Sequence, residues 1–480
     1  MTTRSIAHAR RPLGLAIALA FAAVNAHAIT ISVNDGGDAA SPTGCTLRDA
    51  ITAVDTGAFA LPGPDPCSAT SSGAFGSSDT ISFDVALASS TITLLQGQLA
   101  ISAPLTITGS GQTIDANAAN RALYVTATTS ASNLTFTNGS IDGNGSAIFV
   151  GGASNTLTLT NTGVSGNAVT GTGNGGGSIG VKTGATLALV DASVTGNTST
   201  RQTAGIYVQA SGATITNSTI SGNSVACSGN YCAGAVYASA SVVLVNGSTL
   251  ASNSVTAGAT STNFTGAVYS WDGVTSIVNS TIAGNYAYGT DFIAGAVQEN
   301  HTTTSTGFGL TLTNTTVSGN IAKAFTGTAQ FVTGGALIGA YDTGAMTLGN
   351  SIISGNSAIN GAAPAPDFAT NSANNPTLNF SYSLLGNVLN VSPYSDVANH
   401  NVFSDTPGLG PLQDNGGPTQ TMALLPSSVA IDAGSNSLAV DAGAQPLLTD
   451  QEGFVRIFNY AVDIGAFEFP GDRIFRDGFE

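Results

Sequence analysis

One short pattern constrains this chain more than anything else in it. An apolar residue, a small residue and then Gly-Asn recur as VSGNA at Asn167, VTGNT at Asn197, ISGNS at Asn223, IAGNY at Asn285, VSGNI at Asn320 and ISGNS at Asn356, with LASNS at Asn253 keeping the Asn but not the Gly. Successive asparagines are 30, 26, 30, 32, 35 and 36 residues apart. A fixed motif on a loosely varying period describes a solenoid whose rungs share a core and differ in their loops.

Alternation within each repeat says how a rung folds. Leu157 and Leu159 precede Asn161 at even spacing, as do Ala213 and Ile215 before Asn217, Val242 and Leu244 before Asn246, and Leu310 and Leu312 before Asn314. A period of two is a strand with one buried face. Extending that parity places the terminal amide inside, so Asn161, Asp191, Asn217, Asn246, Asn279, Asn314 and Asn350 are expected to stack as an internal ladder, with Asp191 the exception. A second strand signal follows on the same period, in GSAIFV, AGIYV, AGAVY, TGAVY, AGAVQ and GGALI. Two or three strands per rung, coiled into parallel sheets with about 4.8 Å per rung, predict an all-β parallel β-helix with seven clear rungs spanning roughly 30 to 35 Å.

Composition agrees and narrows the partners. Only 8% of the 480 residues are charged and 60 are Gly, a poor mixture for helices. Residues 1–28, with Arg4, Arg10 and Arg11 ahead of an apolar run and an Ala-His-Ala site, read as a secretory signal peptide. Removing those arginines takes the formal charge from −16 to −19, which disfavours nucleic acid and anionic membranes. No second apolar stretch suggests a transmembrane segment in the mature chain, and a monomer is expected. Four cysteines in an exported chain suggest disulfides; three connectivities are possible, and local pairing of Cys45 with Cys67 and of Cys227 with Cys232 is the natural expectation. Their spacing does not suit zinc.

The two ends carry longer patterns. CTLRDAI at residues 45–51, followed by DTISFDV, TITLLQGQLAIS and LTITGSGQTID, resembles the CSLREA-type amino-terminal region of exported bacterial β-helix proteins. SLLGN, then DTPGLGPLQDNGGPTQTMALLPSSVAIDAGS, TDQEGFVR and DIGAFE, is similar to the choice-of-anchor Q module, except that Glu452 stands where that module usually has Arg. The resemblance implies a right-handed parallel β-helix, exported and placed at the cell surface or outside the cell. It divides the chain into a signal peptide (1–28), an N-terminal cap (29–79), β-helix repeats (80–387), a C-terminal cap (388–469) and a tail (470–480) similar to short sorting endings.

Catalysis has weaker support. Between Arg121 and Arg456 the only Lys or Arg residues are Lys182, Arg201 and Lys323, too few for a lyase acting on anionic polysaccharides. Aligning rungs on Gly266, Gly295 and Gly335 puts Trp271 and Asp272, Glu299 and His301, and Tyr341 and Asp342 at similar offsets. On one outer face they would form a sugar-binding groove with carboxylates for glycoside hydrolysis. Asp272, Glu299, His301 and Asp342 are therefore the catalytic candidates, and Trp271 and Tyr341 the ligand-binding ones. The carboxylates Asp405, Asp414, Asp432, Asp450 and Asp463 are expected to cap turns, with Ca²⁺ the open alternative; no other cofactor is indicated. The leading expectation is an adhesin-like surface module binding a glycan or protein, the alternative a carbohydrate-active enzyme.

Overall fold

The computed structural model describes residues 28–39, 44–59, 67–71, 73–76, 79–257, 262–301, 309–325, 329, 331–338, 345–361, 364–370, 377–389 and 399–471. Residues 1–27 of the expected signal peptide and residues 472–480 of the expected tail lie outside them. Within them the chain winds as a parallel β-helix. One rung consists of Gly212–Thr216, Thr219–Ser221, Ser224–Cys227 and Val236–Ser239. Each of these strands pairs in parallel with its counterpart one rung before and one rung after. With the two-residue strand Cys232–Ala233 added the rung has five strands, two more than the alternation suggested, in part because a left-handed corner divides its first leg. The first two columns merge into one 22-stranded sheet, since Leu105–Asp115 and Thr129–Thr137 each run through that corner. An 8-stranded, an 11-stranded and a short 4-stranded sheet complete the coil.

The corner explains why the Asn at the end of LTLTN does not point inward. Asn161, Asp191, Asn217, Asn279, Asn314 and Asn350 adopt φ of 48° to 51°, the left-handed region that Asn tolerates through local hydrogen bonding. A left-handed residue turns the chain, so the parity of the strand does not pass through it. Leu157 and Leu159 are buried, whereas Asn161 and Asp191 are exposed. The Asn246 rung is also offset: Asn246 pairs with Thr216 and Val278, Gly247 takes the corner with φ 59°, and Val243 and Val245 rather than Val242 and Leu244 face the core.

The inward position belongs to the next residue. Ser218, Ser248, Ser280, Thr315, Ser351 and Ser383 are fully buried. They form a hydroxyl ladder in which main-chain N–H groups donate to the hydroxyl one rung on: Ser218 to Ser248 at 3.0 Å, Ser248 to Ser280 at 3.1 Å and Ser351 to Ser383 at 3.2 Å.

The internal amide ladder lies at the second corner. Gly166, Gly196, Gly222, Gly284, Gly319 and Gly355 have φ between 62° and 77°, and Ser252 takes the same turn at 55°. Each delivers the following Asn into the core. Nδ2 of Asn167 donates to Oδ1 of Asn197 at 2.9 Å, and the same bond recurs from Asn197 to Asn223, Asn253, Asn285, Asn320 and Asn356. Main-chain N–H groups donate to the same oxygens. The last donor, Asn356, finds Oδ1 of Asp367 at 2.9 Å. Burying a polar group costs free energy unless it is hydrogen-bonded, and here every rung satisfies its neighbour.

The first rung is closed by the only α-helix among the described residues, Leu47–Thr56, capped by Thr46 and Asp49 at its start and by left-handed Gly57 at its end. Leu47, Ala50, Ile51, Ala53 and Val54 join the solenoid core. The disulfides are Cys45 with Cys67 and Cys227 with Cys232. At the far end, Val388–Leu389 and Val402–Phe403 pair onto the last rung. Among the described residues no helix is long and apolar enough to cross a membrane.

Candidate functional site

Strand register decides where the catalytic candidates point. Val268–Trp271 pairs with Val297–Asn300 so that Ser270 faces Glu299 and Trp271 faces Asn300. Glu299 therefore stands in the inward column of Val208, Ala238 and Ser270, followed by Ile338, and is 0% exposed. Asp272 and His301 occupy the next corner. His301, also buried, places Nε2 2.9 Å from Oε1 of Glu299 and Nδ1 3.6 Å from Oδ1 of Asp272, whose side chain is 20% exposed. The imidazole thus connects an interior carboxylate to one that reaches the surface. The expected outer face holding Asp272 and Glu299 together does not exist, because one residue of register turns a strand side chain to the opposite face. Tyr341 and Asp342 lie outside the described residues.

Trp271 sits at the edge of an aromatic column. Tyr207, Tyr237 and Tyr269 stack with centroids 5.3 and 5.4 Å apart, and Trp271 packs on Tyr269 and edge-on against Tyr231. Asn300 donates from Nδ2 to the Tyr269 hydroxyl at 2.8 Å. Burial pushes the Tyr269 hydroxyl well up from its ordinary value. Tyr207, Tyr237 and Tyr269 are packed into the protein, and Trp271 and Tyr231 at the column's edge are partly buried against them.

The flank formed by the left-handed corners has the most developed chemistry, and the sequence reading missed it. The segment expected to cap the end closes it only with its first strands; after the hairpin of Leu409–Gln413 and Thr421–Leu424, the chain folds back along this flank. Thr419 donates to the carbonyl of Gly247 at 3.1 Å. Gln451 donates to the Ser248 carbonyl and to the hydroxyls of Thr249 and Thr419, and accepts from Thr281 at 2.7 Å. Corner amides bind the strap's main chain. Nδ2 of Asn279 donates to the Thr449 carbonyl at 3.3 Å and Nδ2 of Asn314 to that of Leu438 at 3.2 Å. Asn350 uses both ends of its amide on one residue, accepting from Ser435 N–H at 2.7 Å and donating to Ser435 O at 2.9 Å.

Asp450, Gln451, Glu452 and Arg456 of TDQEGFVR form the buried lock of this strap. Oδ1 of Asp450 accepts from the N–H groups of Glu452 and Phe454, and its Oδ2 from that of Glu468. Arg456 is 0% exposed and donates from Nη2 to Asn314 Oδ1 at 3.0 Å and to the Gly465 carbonyl at 2.6 Å, with Nε 3.6 Å from Glu468. Glu452 accepts from the Thr421 hydroxyl, so the position where the resemblance expects Arg binds the hairpin instead. Asp463 accepts from Asp432 and Phe469, and Asp414 from Gly416. Asp414 and Asp450 thus serve turns, whereas Asp463 ties two segments of the strap together. Burial raises the carboxyls of Asp450, Glu452 and Asp463 above their usual range and carries Glu468 to about 8 despite nearby Arg456.

Toward the N-terminus the same flank is uncovered. There Gly111, Asn133, Asn161, Gly163, Asp191 and Ser193 line an open, largely polar groove of about 510 Å³. Nδ2 of Asn161 donates to Oδ1 of Asn133 at 2.7 Å across one rung. Asp191 places a carboxylate where neighbouring rungs have an amide.

No protein-family description, curated protein or solved structure matches this chain.

Proposed function

We propose that the chain is an exported, non-catalytic interaction module, adhesin-like, that works at the cell surface or outside the cell. The observation that carries this reading is the corner groove: a row of equivalent corners, most of them bearing an amide, already engaged in recognition by the strap over half its length and open over the rest. Three further features support it. Residues 1–28 have the form of an export signal, the two disulfides suit an oxidising compartment, and both ends resemble modules of exported surface proteins.

The catalytic alternative draws on His301 between Asp272 and Glu299. A hydrolase needs both carboxylates on the substrate side, about 5 to 9.5 Å apart, and Glu299 faces the core. The test is incubation of the mature protein with a panel of neutral and acidic polysaccharides, alongside a cell-binding assay. Cell binding without product release is the expected result. Release of reducing ends that disappears in Asp272→Ala and His301→Ala variants would overturn the proposal.

A further inference from the structure

We infer that the open half of the corner groove binds an extended, basic peptide segment of another protein, its arginine or lysine meeting Asp191; this deepens the interaction-module reading and rests on it.

The first argument is continuity with an interface already formed. The groove is one column of equivalent corners, and over Gly247 to Asn350 its occupant is polypeptide. The recognition is by main chain: Asn350 takes the N–H and C=O of a single residue, and Asn279 and Asn314 each take a carbonyl. An amide offers donor and acceptor together, which matches a peptide unit and is indifferent to its side chains. Asn133 and Asn161 offer the same group at the same corner of earlier rungs.

The second argument is charge. In the covered half the corner oxygens also accept a cation, since Arg456 donates to Asn314 Oδ1. In the open half that role falls to the full carboxylate of exposed Asp191. A net charge of −16 favours a basic partner over the whole surface. The groove's corners from Gly111 to Asp191 are three rung steps apart, roughly 14 Å, the length of about four or five extended residues. Peptide length and charge are thus both specified.

Fluorescence anisotropy on the intact mature chain tests this, using a labelled hexapeptide of alternating serine and arginine, a serine and glutamate counterpart, and a labelled neutral hexasaccharide. The basic peptide is expected to bind with a dissociation constant on the order of 100 μM or tighter, and Asp191→Asn to weaken it about tenfold. Ser193→Trp, which fills the groove from its half-buried wall, should abolish binding while leaving the unfolding midpoint unchanged. Equal binding of the acidic peptide, preference for the hexasaccharide, no binding of the basic peptide, or indifference to both substitutions would each overturn the inference. Cell binding by a chain that does not bind the basic peptide would show that the peptide site failed while the surface-module reading stood.

Discussion

Asp367 has a role that no asparagine in the column can fill. Its buried carboxylate takes the N–H and Nδ2 of Asn356 on Oδ1 and the N–H of Asn387 on Oδ2, three donors and no proton to return. Asp367→Ala should lower stability by about 1 to 3 kcal/mol, because two donors at Asn356 lose their acceptor inside the core. Asp367→Asn should cost less, since its Oδ1 still accepts; thermal unfolding of the two variants checks the ordering. This residue also shows where sequence reading stops. The Gly-Asn marker located the true ladder, yet period-two parity assigned the inward amide to Asn161 and its equivalents. Parity assumes extended backbone, and a single left-handed residue ends its validity. The useful signal was the hydroxyl after each corner Asn, as in Asn217-Ser218 and Asn279-Ser280, since a side chain buried in every rung repeats its chemistry.

At the scale of elements, the caps were legible as segments but not as geometry. The helix Leu47–Thr56 announces itself by Thr46, Asp49 and its apolar face. What fastens it is Arg48, bidentate to buried Asp38 at 2.8 and 3.1 Å and donating to the carbonyls of Gly97 and Gln98. Asp38 in turn accepts the N–H groups of Leu95 and Gln96, tying the cap to the first rungs. Arg48→Ala leaves that carboxylate buried without its cation and should cost about 2 to 4 kcal/mol, read as a lower denaturant midpoint; Arg48→Lys should recover only part, lacking the fork. The strap defeated prediction for a different reason. Gln451, Glu452 and Arg456 reach partners as far as 203, 31 and 142 residues away in sequence, and no local pattern encodes which rung they will reach.

Across the whole molecule, the parallel β-helix followed directly from period and alternation, whereas the candidate site did not. Aligning rungs on Gly266 and Gly295 identified the right strands, but their pairing matches Trp271 with Asn300, so Glu299 turned inward. The buried carboxyls of Asp367, Asp450, Glu452, Asp463 and Glu468 give the fold a pH dependence of definite sign. Each binds its proton more tightly folded than unfolded. Stability therefore falls as pH rises from the ordinary carboxylate range, and Glu468 extends that loss to about pH 8. The unfolding midpoint should be higher at pH 5 than at pH 9, and Glu468→Gln should flatten the slope between them. A rising midpoint over that interval would contradict the burial of these groups.

The asparagine column has a direction: every amide donates toward the C-terminus, and the last acceptor has nothing left to give. A duplicated rung inserted upstream of Asp367 would bring its own amide and keep the sequence of bonds unbroken. One inserted after Asp367 would present donors to neighbours that need them and an acceptor to a carboxylate that cannot supply one. The amide column can lengthen by internal duplication only upstream of this residue, so Asp367 works as a stop mark for the column, while the strands of the solenoid run on past it.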